Sequence, residues 1–181
     1  MNFLNLVKER YSVRRYSNKP VQREKIERCI EAARLAPSTC NSQPWRFIVV
    51  EDTKLKEAIA RETYSKVLSF NSFSKGAPVL IIVISERKNI SAKIAGIIKK
   101  RDFSLIDIGI AAEHICLQAV EEGLGTCMLG WFDEEAVKKL LNIPKQKRIE
   151  LIITLGYPDE SVKKKSKKRK DIDCIRSYNC Y

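Results

Sequence analysis

Residues 104–122 limit how this chain can fold more than any other stretch, because a helix over them is apolar on nearly every side. Leu105, Ile106, Ile108, Ile110, Ala111, Ala112, Ile115, Cys116, Leu117, Ala119 and Val120 leave no broad polar stripe. At 1.5 Å rise per residue such a helix is about 28 Å long. A helix that is apolar all round has to be buried on most sides, and one sheet face covers only one of them. Either the rest of the monomer wraps this helix or a second subunit packs on it, and the second arrangement is preferred. Gly123-Leu124-Gly125 follows where glycine commonly ends a helix.

Composition sets the remaining bounds. With 181 residues, 44% hydrophobic and 31% charged, the chain has the length of one domain and the balance of a soluble folded protein. Asp107, Glu113, His114 and Gln118 interrupt the apolar helix, so it falls short of the roughly 20 mainly apolar residues of a bilayer span. The first residues lack the basic start and apolar block of an export signal, which gives a cytoplasmic expectation. Six cysteines lie scattered without a C-x-x-C pair, and His114 is the single histidine, so neither a disulfide framework nor a zinc site is expected. His114 reads as an ordinary helix residue.

The net charge is +12, and much of the excess falls in residues 163–170. No aromatic side chain interrupts that run to stack on bases. It reads as a solvated extension or as the partner of an anion, with nucleic acid as one rival.

A first helix over Phe3, Leu4, Leu6 and Val7 runs out near Arg10, and a second spans residues 24–35, stopped by Pro37. Strands are expected at residues 47–50, 79–84 and 149–155, with a short one after Gly125. Further helices are expected over residues 53–62, capped by Asp52 or Thr53, and 134–141. No linker or repeat divides the chain, so residues 1–170 form one domain and 171–181 a tail. Interspersed helices and strands give α/β or α+β, and no clean βαβ period favours the first.

Three motifs carry chemistry. In Arg10-Tyr11-Ser12-Val13-Arg14, residues Arg10, Ser12 and Arg14 fall on one side of an extended chain. Guanidinium forks suit a phosphate, although arginines at a helix end also serve its dipole. Ala36-Pro37-Ser38-Thr39-Cys40-Asn41-Ser42-Gln43-Pro44-Trp45 packs small hydroxyl and amide side chains between two prolines. Such a frame matches a heteroaromatic ring with carbonyl and imide edges, or is simply a polar loop anchored by Trp45. The stretch 123–132 lacks the spacing of a dinucleotide fingerprint, but its glycines let backbone approach a flat ligand.

Taken in order, these motifs resemble the nitroreductase family of flavoproteins. The likeness rests on Arg10-x-Ser12-x-Arg14, the 36–45 loop, Asp107-Ile108-Gly109, Gly-Leu-Gly-Thr-Cys-Met-Leu-Gly-Trp-Phe at 123–132, and Leu155-Gly156-Tyr157-Pro158. It covers roughly residues 3–170. The resemblance implies an α+β fold of three α/β/α layers, with a mixed, mainly antiparallel central sheet and the long helix at a homodimer interface.

It also implies bound FMN, NADH or NADPH as electron donor, and ping-pong hydride transfer to a small oxidised acceptor such as a quinone or nitroaromatic. A specialised or non-turnover flavin protein is the alternative. Arg10, Tyr11, Ser12, Arg14, Lys167 and Arg169 are assigned to the flavin's phosphate, ribityl chain and pyrimidine edge. Pro37, Ser38, Thr39 and Asn41 are assigned to the opposite subunit. Cys127, Met128, Leu129 and Gly130 are assigned to the flavin's inner face, with the Leu129 N–H directed at the redox-active ring nitrogen. No side chain is nominated as catalytic and no metal is expected. Residues 88–103 are the only short cover available over the pocket.

Overall fold

Side-chain caps start the helices where the sequence offers Asn or Asp. In the computed structural model, which describes residues 2–65, 69–86, 102–162, 164 and 167–181, Asn2 accepts from the Leu4 N–H at 2.9 Å and opens α1 (Phe3–Glu9). Asp52 accepts from Leu55 N at 2.8 Å and opens α3 (Thr53–Arg61), after α2 (Arg23–Arg34) and β1 (Trp45–Val50). Such a cap satisfies an N–H that has no partner within its helix. Asp52, not Thr53, supplies it. β2 (Val79–Ser85), α4 (Phe103–Glu121), β3 (Gly125–Leu129), α5 (Glu134–Leu140) and β4 (Arg148–Gly156) follow. The expected cover at 88–103 lies outside the described residues except for its last two.

The four strands form one sheet in the order β1-β2-β4-β3, each neighbouring pair antiparallel. Side chains alternate along β2, so Val79, Ile81 and Val83 meet α2 and α4 while Leu80, Ile82 and Ile84 meet α3 and α5. Three layers result. β4 needs a correction to serve both faces: pairing steps from Val83↔Leu151 to Ile84↔Ile149, leaving Glu150 as a bulge. The extra residue turns Ile149 to the side of Ile152, which keeps an apolar contact on the α5 face.

α4 is long and apolar enough by composition to cross a membrane, yet it packs as a core helix on α2 and the sheet. Ala111, Ala112, Ile115 and Ala119 are fully buried. On the opposite side, among the described residues, Leu105 is 53% and Ile106 50% exposed. α1 touches α4 and buries none of its own residues, leaving Phe3 and Leu4 open beside that side. The tail 171–181 is exposed throughout and contains one 3-10 turn, Ile172–Cys174. All six cysteines are free thiols.

Candidate functional site

The arginine segment is held by the outer edge of β3. Val13 N–H donates to the Thr126 carbonyl at 2.9 Å, and Ser12 bridges Thr126 in parallel. Val13 is buried under Gly125, where a Cβ would come within 2.3 Å of Val13 Cγ2, so only glycine permits this approach. With Val13 turned inward, the alternating chain turns Ser12 and Arg14 outward. Val162, Lys167 and Arg169 return to them from the other end of the chain. Between the two segments lies a cavity of about 470 Å³ lined by Arg10, Tyr11, Ser12, Arg14, Lys167 and Arg169, with Arg15 and Val162 at its margin. A second cavity of about 590 Å³ shares Arg10, Lys167 and Arg169 and adds Lys8, Glu113 and Lys164.

Lys167 Nζ donates to the terminal carbonyls of α1, Val7 at 3.1 Å and Lys8 at 2.8 Å. Lys164 Nζ meets Glu9 Oε2 at 2.7 Å, and that hydrogen bond holds the Glu9 carboxyl below its usual range. Desolvation, then the nearby charges of Arg10, Lys164 and Arg169, hold the Lys167 ammonium below the ordinary lysine value. The cluster carries positive charge that its own carboxylates do not cancel, which fits a multiply charged anion such as a phosphate.

Beyond Thr126 the outer edge of β3 continues toward Gly130. Cys127 and Leu129 side chains are buried, Met128 is half-buried and Gly130 is exposed. Thr126 faces its carbonyl outward to Val13, so alternation turns the backbone groups of Met128, and next of Gly130, to the same edge. Leu129 pairs with Ile152 of β4. Tyr16 braces the edge from behind: its hydroxyl donates to Val13 O at 2.9 Å and lies 2.6 Å from Thr154 Oγ1, which donates to Cys127 O at 3.2 Å. Burial pushes both the Tyr16 phenol and the Cys127 thiol upward.

Residues 70–73 join this edge and were not anticipated. Asn71 Nδ2 donates to Trp131 O at 3.1 Å, Phe70 and Trp131 rings lie 6.3 Å apart, and the Arg14 guanidinium lies 5.8 Å from the Phe73 ring centre. The only sequence signal was two phenylalanines in an otherwise polar loop.

The 36–44 loop is pinned at both ends by buried Ala36 and Pro44. Its centre is a 3-10 turn, Thr39–Asn41, and Cys40, Asn41 and Gln43 have φ of 52°, 51° and 43°. Left-handed backbone costs a non-glycine residue about 1–2 kcal/mol, so the loop is braced. Gln43 N donates to Ser38 Oγ at 3.0 Å, Gln43 Nε2 to Asn41 Oδ1 at 3.0 Å, and Thr39 donates through both N and Oγ1 to Asp107 Oδ1 at 3.1 Å each. Pro37 and Asn41 are exposed, Ser38 and Thr39 half-buried. The structure gathers Arg10, Tyr11, Ser12, Arg14, Lys167 and Arg169 around one cavity; Pro37, Ser38, Thr39 and Asn41 do not line that cavity within the same chain.

A sequence model described as the nitroreductase family matches residues 7–157. An iodotyrosine deiodinase of Thermotoga neapolitana is 32% identical, the match covering 86% of this chain and 88% of that protein. An oxygen-insensitive NADPH nitroreductase of Helicobacter pylori is 29% identical over 94% and 93% of the two chains. Among solved structures, an FMN-dependent nitroreductase from Clostridium difficile superimposes with a TM-score of 0.79 at 30% identity, covering 99% of this chain and all of that one. A nitroreductase family protein from Clostridium novyi gives 0.78 at 34% identity, over 91% and 89%.

Proposed function

The chain belongs to the nitroreductase family of oxidoreductases, and from that premise we propose that it is an FMN-dependent NAD(P)H oxidoreductase acting as a homodimer. The observation that carries the proposal is the cation cavity assembled from both ends of the chain, in which Lys167 is held below its ordinary pKa by burial and neighbouring cations. Its donors and charge fit the FMN phosphate. Arg10, Arg14, Lys167 and Arg169 hold that group, while Tyr11 and Ser12 line the ribityl approach.

Flavin, when bound, would supply the redox chemistry, hydride transfer from NADH or NADPH to a small oxidised acceptor such as a quinone or nitroaromatic. The chain's own part is binding and orientation. Along the free edge of β3, residues 127–130 give the ring a backbone wall, with Met128 and Gly130 turned outward. Thr39 and Asn41, with Pro37 and Ser38, reach the ring from the second copy. The exposed side of α4, with Leu105 and Ile106, supplies the surface on which that copy packs.

The test is a visible spectrum. Purified protein is expected to be yellow, or to become so with added FMN, and to bleach with NADH or NADPH; colourless protein that takes up no FMN overturns the proposal. Steady NAD(P)H consumption with a quinone, a nitroaromatic or iodotyrosine distinguishes turnover from binding alone. A nucleic-acid role for the basic run is disfavoured by the lack of any aromatic side chain in residues 163–170 to stack on bases.

A further inference from the structure

Asp107 is a buried carboxylate using half of its accepting capacity. It is 3% exposed on a stretch of α4 whose other inward residues are Ile108, Ala111 and Ala112. Its Oδ1 takes both Thr39 donors at 3.1 Å. Its Oδ2 is buried with no hydrogen-bond partner among the described residues, and so is Ser42 Oγ on the loop that Oδ1 holds. A carboxylate kept in such surroundings is costly unless its bonds achieve something that an apolar residue cannot.

The loop's conformation shows what those bonds achieve. Three non-glycine residues within four positions adopt left-handed backbone, and strain of this kind persists only where surrounding structure over-determines it. The loop braces itself through Ser38, Asn41 and Gln43. Asp107 adds the tie to another element. It lies next in sequence to Ile106, which faces out on the uncovered side of α4, so one residue joins that helix to the loop.

We propose that Asp107 is a positioning residue of the cofactor site, locking residues 38–43 to α4 so that Thr39 and Asn41 are presented to the FMN held by the second copy. The proposal rests on the FMN and homodimer reading above. Asp107 does not touch the flavin; it acts through Thr39, and Asn in its place retains one acceptor oxygen for the same two bonds.

Three variants test it: Asp107→Ala, Asp107→Asn and Thr39→Val. Asp107→Ala is expected to raise the FMN dissociation constant by at least about tenfold, as befits losing two bonds to a charged acceptor, and to alter the visible circular dichroism of bound flavin. Asp107→Asn is expected to restore affinity to within about threefold, with Thr39→Val in between. In flavin-free protein, amide exchange at Cys40, Asn41 and Gln43 is expected to quicken in Asp107→Ala, with the dimer mass by light scattering unchanged. Wild-type exchange, affinity and dichroism in both Asp107→Ala and Thr39→Val overturn the assignment. If Asp107→Ala fails to fold, Asp107→Asn and Thr39→Val decide the matter by the same readouts. If wild-type protein takes up no FMN, the flavin reading falls; loop exchange then decides the tie alone, and unchanged exchange overturns it.

Discussion

The cation cavity and the 36–44 loop are built on opposite principles. The cavity draws Arg10 and Arg14 from one end of the chain and Lys167 and Arg169 from the other, all on long flexible side chains. The loop is one contiguous segment in a strained backbone, braced by its own side chains and tied to α4 at the buried carboxylate of Asp107. Attraction between charges falls off slowly with distance, so an anion can be held by groups placed loosely. Hydrogen bonds to the edges of a ring require fixed directions, and a rigid frame supplies them. Long basic side chains suffice to hold the anion, whereas orienting the ring needs backbone strain and an anchor.

The largest effect that separates the two regions is expected from the double variant Arg10→Ala/Arg169→Ala. Each charge-assisted bond is worth about 1.5–3 kcal/mol, so losing one at each position weakens FMN binding by roughly a hundredfold or more, measured by fluorescence titration at low salt. The loop's amide exchange stays unchanged. Flavin held at wild-type affinity removes the cavity from the site. Next in size is Gly125→Ala, whose Cβ meets Val13 at 2.3 Å. Overpacking of this kind costs about 1–3 kcal/mol, read as a lower urea midpoint, and it displaces the arginine segment but not the loop.

Cys40→Gly sharpens the contrast from the other side. Relief of left-handed strain is expected to raise stability by about 0.5–1 kcal/mol, read as a small increase in Tm. The smallest effect is electrostatic. Because Lys167 is held below its ordinary pKa in the folded chain, its protonated form opposes folding. Stability is therefore expected to rise as pH increases through the folded Lys167 value toward the ordinary lysine value, and the effect disappears in Lys167→Met. At neutral pH, inorganic phosphate is expected to raise Tm by neutralising the same cluster.

Much of the fold was legible because its signals are local. The apolar run at 79–84, the cap at Asp52 and the glycine after α4 each act within a few residues, and the elements stand where these signals put them. The loop's polar content between two prolines was equally visible. Its tie to Asp107 was not, because an acidic residue on an apolar helix reads as an interruption until the structure shows Thr39 bound to it. Residues 70–73 escaped notice because their role depends on Trp131 and Arg14, distant in sequence. Which residues of β3 meet the arginine segment was equally hidden, since a strand's motif does not state which edge its first residue faces.

Residue order alone supplied the raw materials, namely an apolar helix, a stiff polar loop and cations at both ends of the chain. These follow from side-chain chemistry and short-range periodicity. Which of them meet was settled only by three-dimensional packing. The register of β3 against the arginine segment, the bulge at Glu150 and the burial of Asp107 depend on how layers distant in the chain come together, and the free energy of that packing is shared among many contacts that no short motif encodes.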